Sequence, residues 1–213
     1  MTTARSPRWT PTRRTPSPTA GARWRSSPTG SPSATPPSES AAAAAVFTPR
    51  GERAAVTLVR PAREGDTAPL RETHVAAIEA FGPEAYDERA VAAWADRGDD
   101  PSLEGLDDPD TYWVVAERGE GPPVAGFGRL DAAAGEVVAV YVHPDCARSG
   151  VGSAVLASLE GYARGAGLNE LALTASLNAV GFYERHGYRA GEDVTLSIGD
   201  GVEIDCVEMR KSL

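Results

Sequence analysis

The chain has 213 residues, a formal net charge of −9, 20 arginines and one lysine, Lys211. Residues 1–53 hold eight Arg against Glu39 and Glu52, while the remaining 160 residues hold 13 basic and 28 acidic side chains. That acidic excess argues against nucleic acid or an anionic membrane as a partner of the folded part, because phosphates would be repelled.

Ala-rich, Lys-poor, acidic composition points to a GC-rich genome and a halophilic, salt-adapted cytoplasm. Two cysteines, Cys146 and Cys206, supply neither a disulfide framework nor metal spacing, and no metal is expected. No apolar run approaches the ~20 residues of a spanning helix, and Arg13-Arg14 lacks a following apolar stretch. The expectation is a cytoplasmic protein without a membrane partner.

Residues 1–53 repeat Ser-Pro, Thr-Pro and Pro-Pro steps with few apolar residues, and read as a disordered Ser/Pro/Arg-rich tail. A folded domain is expected over 54–213. It opens on an alternating strand, Ala55 to Arg60, halted by Pro61. Asp66 reads as the N-cap of a helix through Phe81, and a second helix is expected from Asp87 to Arg97. The acidic stretch Gly98 to Asp110 reads as a loop. Strands at Tyr112–Glu117, Val124–Leu130 and Glu136–Val142, separated by glycine turns, form an antiparallel meander.

The strand ending at His143-Pro144 feeds a Gly150-Val-Gly152 turn and then a helix with Val151, Ala154, Val155, Leu159 and Tyr162 on one stripe, ending near Gly165 or Gly167. Such a turn gathers unpaired N–H groups at the positive end of a helix dipole, which suits a phosphate or pyrophosphate. A strand at Leu171–Ala175, a short helix that Asn178 can cap, and strands near Val194–Ile198 and Val202–Met209 complete the order. The result is a mixed α/β layer. A P-loop is excluded because the turn has no Lys, and a dinucleotide fingerprint fits poorly because Val155 stands where its third glycine belongs.

Ala147-Arg-Ser-Gly-Val-Gly152 and Asn178-Ala-Val-Gly-Phe-Tyr-Glu-Arg-His-Gly-Tyr188 together resemble the two signatures of the GNAT superfamily of N-acetyltransferases, over residues 55–210. Ala147 replaces the family's usual Gln or Arg, with Arg148 one place later. The resemblance implies the GNAT fold, a mixed sheet of six or seven strands with helices on both faces. It implies acetyl-CoA as co-substrate and direct transfer of acetyl to a primary amine carried by a small molecule or peptide. A homodimer is compatible with it.

By the same resemblance, backbone groups of Val140, Tyr141 and Val142 would pair with the pantetheine arm. Arg148, Ser149, Gly150, Val151, Gly152 and Ser153 would cradle pyrophosphate, and Asn178 would contact the pantetheine. Tyr183 would protonate the departing thiolate, its alternative being a packed aromatic beside Phe182 and Tyr188. Glu136 would be the base, its alternative a solvated carboxylate at a strand start; ideal alternation puts it on one face with Val138, Val140 and Val142. Phe81, Tyr86 and Trp94 read either as an acceptor cleft or as core. The rival from another class is a non-catalytic acyl-CoA-binding or regulatory module, for which Ala147 leaves room.

Overall fold

A computed structural model describes residues 12–13, 56–96, 106–119, 121–199 and 201–213. Its strands are β1 (Thr12–Arg13), β2 (Thr57–Pro61), β3 (Thr111–Arg118), β4 (Gly126–Asp131), β5 (Glu136–Val142), β6 (Glu170–Ser176), β7 (Arg189–Gly199) and β8 (Val202–Ser212). The helices are α1 (Thr67–Phe81), α2 (Glu88–Ala95), α3 (Val151–Gly165) and α4 (Val180–Arg185). They form one sheet in the order β1-β7-β8-β6-β5-β4-β3-β2. Every neighbouring pair is antiparallel except β5 and β6.

All seven strands expected between residues 55 and 210 are present. Of the Pro/Ser tail, only Thr12–Arg13 lies within the described residues, paired with Val194 and Thr195 on β7; the rest of that expectation falls outside them. The loop expected from Gly98 to Asp110 is described only from residue 106 onward.

Both faces of the sheet carry helices. On one, α3 and α4 pack over Val114, Ala116, Leu130, Val137, Leu171, Leu173, Ala175 and Met209. On the other, α1 seals Leu70 against Val115, Val124 and Phe127, and α2 covers Val194, Leu196, Ile204 and Cys206. Gly128 lets α3 approach β4: a Cβ there would stand 2.7 Å from Val155 Cγ1 and 2.9 Å from Leu159 Cδ1. The stripe of α3 is correct at Val151, Val155 and Leu159, but its flank is Leu156 and Ala163 rather than Ala154.

Two capping expectations need correction. Asp66 stands at the N-cap of α1 as expected, yet its side chain makes no cap bond to that helix. Its oxygens accept from Arg63 N–H at 2.7 Å, in the turn before the helix, and from Arg60 Nη1 and Nη2 at 2.7 and 2.8 Å. The bidentate charged pair is the stronger bond and takes the carboxylate from the helix. Asn178 does not cap α4 either: the cap is Ala179, without a side-chain bond.

Glu160 is buried on α3. Lys211, the chain's one lysine, donates to its two oxygens at 2.7 and 2.8 Å. The ammonium also sits 5.5 Å from the centroid of the Tyr188 ring. A buried carboxylate without such a partner would cost several kcal/mol, about 3–5.

Candidate active site

The two parallel strands part company almost at once. β5 and β6 pair only at Glu136 with Ala172 and Val137 with Leu173. On its other side β5 stays paired with β4 as far as Val142. The backbone of Val140, Tyr141 and Val142 therefore turns an unpaired edge toward the gap. Unpaired backbone donors and acceptors in such a fork match an extended amide-bearing ligand.

The parting coincides with a bulge. Arg129 pairs with Ala139 but Leu130 pairs with Val137, so Val138 is an extra residue in β5. Side-chain parity changes across it. Val137, Val140 and Val142 pack toward α3, whereas Ala139 and Tyr141 pack toward α1. Glu136, opposite Val137, thus faces the α1 side and not the face of Val140 and Val142. This corrects the alternation argument for Glu136.

At the mouth of the fork, the turn before α3 uses two left-handed residues, Arg148 at φ 56° and Gly150 at φ 86°. The first is a cost that a non-glycine residue rarely bears. Ser149 Oγ ties the turn by donating to the Cys146 carbonyl at 2.6 Å. The first N–H groups of α3 have no partner inside the helix, and they point to where Arg148, Ser149 and Gly150 lie exposed. Gly152 is closely packed: a Cβ would come within 3.3 Å of both Phe182 and Val142. Arg148 to Ser153 thus run from this turn into the first residues of α3, and Ala147 before them carries no polar side chain.

Two residues of α4 and its entry turn close the fork from the β6 side. Asn178 donates through its amide to the Phe81 carbonyl at 3.1 Å, while its own Oδ1 is buried with no hydrogen-bond partner. An orphaned buried acceptor fits a ligand N–H. Tyr183 is 7% exposed. Burial, with Tyr141 close by, pushes its phenol pKa up, so the hydroxyl keeps its proton. The Tyr183 ring meets Phe182 and Tyr188 edge-on, with centroids 5.0 and 5.6 Å away. Packing and a protonated hydroxyl coexist in the same residue.

Glu136, at the vertex, is partly buried, and its carboxyl pKa is raised. Desolvation is the main cause, reinforced by Asp131 and Glu208 and opposed by Arg129.

Of the aromatics expected near the acceptor, Tyr86 is a structural pin. Its hydroxyl donates to the Asp205 carbonyl at 2.7 Å and accepts from Leu177 N–H at 2.8 Å. Trp94 packs edge-on to it, over the β7–β8 cluster.

The sequence profile of the acetyltransferase (GNAT) family matches residues 70–188. The chain belongs to the GNAT family. It is 32% identical over 91 residues to an uncharacterised N-acetyltransferase, YjcF, of Bacillus subtilis, a match covering 42% of this chain and 65% of that protein. A crystal structure from Rhodopseudomonas palustris, described as a GCN5-related N-acetyltransferase, aminotransferase class-II, superposes with a TM-score of 0.66. Its identity is 31% and coverage is 73% of this chain and 95% of that one. The PaiA N-acetyltransferase of Thermoplasma acidophilum, solved with coenzyme A, has the same fold, with a TM-score of 0.57, 18% identity and coverage of 74% and 99%. Among the described residues of this GNAT chain, no helix is long and apolar enough to cross a membrane.

His186 has a structural part that its place in the Asn178–Tyr188 motif did not announce. In the GNAT fold here it joins α4 to α3: Nδ1 lies 2.8 Å from the Phe182 carbonyl and Nε2 2.9 Å from Ser153 Oγ. The Phe-Tyr-x-x-His spacing that puts Phe182 and His186 one helical turn apart was the available signal. The Glu160–Lys211 pair left no signal at all, since its partners are far apart in the chain.

Proposed function

We propose that the chain transfers the acetyl group of acetyl-CoA to a primary amine. The reading is carried by the fork between β5 and β6, which opens directly onto the left-handed turn and the N-terminus of α3. Asn178 Oδ1 and the unpaired edge of Val140–Val142 are the complement of the amides of a pantetheine arm. The N–H groups from Arg148 to Ser153, with the Arg148 guanidinium, fit its pyrophosphate. Acetyl-CoA supplies the acetyl group in activated form, as a thioester.

The residues then divide the proton work. Glu136, its affinity for a proton raised by its surroundings, takes the proton that the amine sheds as nitrogen bonds to the acetyl carbon. Tyr183 gives its proton to the sulfur as the carbon–sulfur bond breaks, leaving a free thiol. N–H groups on the open edge of β5 stabilise the negative charge developing on the acetyl oxygen.

The rival reading, a binding module without catalysis, leans on Ala147, which removes a side-chain contact from the cradle. Against it stands Tyr183, a protonated hydroxyl held at the fork. Calorimetric titration of the full chain with acetyl-CoA, followed by thiol release over an amine panel, separates the two. Binding with release that Tyr183→Phe abolishes supports the enzyme. Binding with no release on any amine supports the module, and no binding by folded protein removes both.

A further inference from the structure

Arg129 is partly buried, and among the described residues no carboxylate forms an ion pair with it. It stands on β4 between Trp113 of β3 and Ala139 of β5, on the face of the sheet that carries Glu136. Its guanidinium carbon lies over the Trp113 ring, 5.3 Å from the centroid. Its Nε is buried and has no hydrogen-bond partner.

The chain provides for comparable charges elsewhere. Arg60 receives Asp66 and Glu117, and Lys211 receives Glu160. The nearest acid on the same strand, Asp131, is committed to its own turn, where Oδ1 accepts from Ala134 N–H at 2.8 Å. Glu136 feels the charge of Arg129, but no ion pair joins them. A guanidinium cannot shed its proton to relieve this, and its planar donors match a carboxylate two at a time.

We infer that Arg129 anchors a carboxylate carried by the acceptor, so that the acceptor is an amino acid or another small amine bearing a carboxylate. The inference rests on the N-acetyl transfer proposed above. The face is polarised to receive such a zwitterion. Asp131, Glu136 and Glu208 gather at the vertex of the fork, where the amine must arrive. Arg129 lies two residues up β4 from Asp131, a rise of about 6.6 Å. The acids draw the ammonium end and Arg129 draws the other, which orients the amine toward Glu136. Aromatic backing by Trp113 adds rigidity without competing for the donors.

The test separates binding from turnover. The full chain, saturated with CoA, is titrated calorimetrically with the N-acetyl derivatives of the twenty proteinogenic amino acids and with their carboxamides. At least one acid is expected to saturate, with its carboxamide tenfold weaker or more. Arg129→Gln should remove that difference and Arg129→Lys should retain part of it, both with unchanged CoA affinity. Equal affinity for acid and amide, a preference that survives Arg129→Gln, or no binding of any acid overturns the inference. Thiol release from acetyl-CoA with the parent amino acids is read separately. Carboxylate-selective binding with no amine acetylated sinks the transferase reading and leaves Arg129 as an anion anchor.

Discussion

The His186 ring spans from the Phe182 carbonyl to the Ser153 hydroxyl, 2.8 Å on one side and 2.9 Å on the other. A carbonyl only accepts, so in the neutral ring Nδ1 carries the proton and Nε2 accepts from Ser153. The helix with Tyr183 is thereby fastened to the first turn of the helix that heads the cradle. His186→Leu should weaken acetyl-CoA binding about three- to tenfold, the worth of one hydrogen bond. Adding it to Ser153→Ala should cost little more than Ser153→Ala alone, as calorimetric titration of the four proteins would reveal.

Tyr183→Phe removes one oxygen and leaves the ring against Phe182 and Tyr188. Turnover should fall about a hundredfold or more, the usual range for loss of a general acid, with acetyl-CoA affinity unchanged. Raised by burial, the phenol stays protonated through the assay range, so it contributes no alkaline limb near neutral pH. Full activity in the variant would show that the thiolate takes its proton elsewhere.

Glu136 makes the pH dependence explicit. Its folded pKa lies above the ordinary carboxylate value, so activity should rise with pH through that raised value as the base loses its proton. Asp131→Asn or Glu208→Gln removes a neighbouring negative charge, and each should move the acid limb of kcat/KM to lower pH. The sign for stability is opposite to that of a salt-bridged acid. The folded state holds the proton more tightly, so stability falls as pH rises from the unfolded to the folded pKa. Glu136→Gln should accordingly raise Tm at neutral pH while slowing turnover.

Lys211→Met leaves the buried Glu160 carboxylate with only the longer contact to Arg164 Nη2, at 3.4 Å. A loss of about 3–5 kcal/mol is expected in denaturant unfolding. Glu160→Gln introduced together with Lys211→Met should recover part of it. Equal stability of Lys211→Met and wild type would mean that Arg164 or solvent compensates the Glu160 charge.

Gly128, at the α3–β4 contact, and Gly161, exposed on α3, offer a contrast. Gly128→Ala should destabilise by about 1–3 kcal/mol, because the new methyl meets Val155, Leu159 and the Ala139 carbonyl. Gly161, mid-helix with nothing within 4 Å of a Cβ, should stabilise by about 0.5–1 kcal/mol as alanine. Tm measurements on both decide it.

Most of the fold was legible because strand and helix periods are local. Glu136–Val142 was bounded correctly from its β-branched run alone, and the Gly150 turn announced both its conformation and the helix behind it. The bulge at Val138 was not legible: within Val-Val-Ala-Val an extra residue changes no residue type, only the pairing. Parity failed there, and Glu136 changed faces with it. Asp66, correctly placed at the N-cap, and Asn178 have side chains drawn elsewhere for a related reason. Each had a sound local use as a cap, but Arg60 and the Phe81 carbonyl, brought in by tertiary packing, offered a partner that sequence distance hides. Arg129 looked like any polar residue on a half-exposed strand, and only its lack of a counterion sets it apart.

The pairing of Lys211 with Glu160 bears on the protein's own chemistry as an amine. A molecule that handles an activated acyl group risks modifying its own lysine side chains, since an unprotonated ε-amine is a good nucleophile. These 213 residues contain one ε-amine, and its nitrogen donates to both carboxylate oxygens of Glu160. The folded structure thus engages that nitrogen within the chain. Radiolabel transferred to a lysine-bearing protein mixed with this chain would report on that protein alone, with no background from lysines of the chain that carried out the transfer.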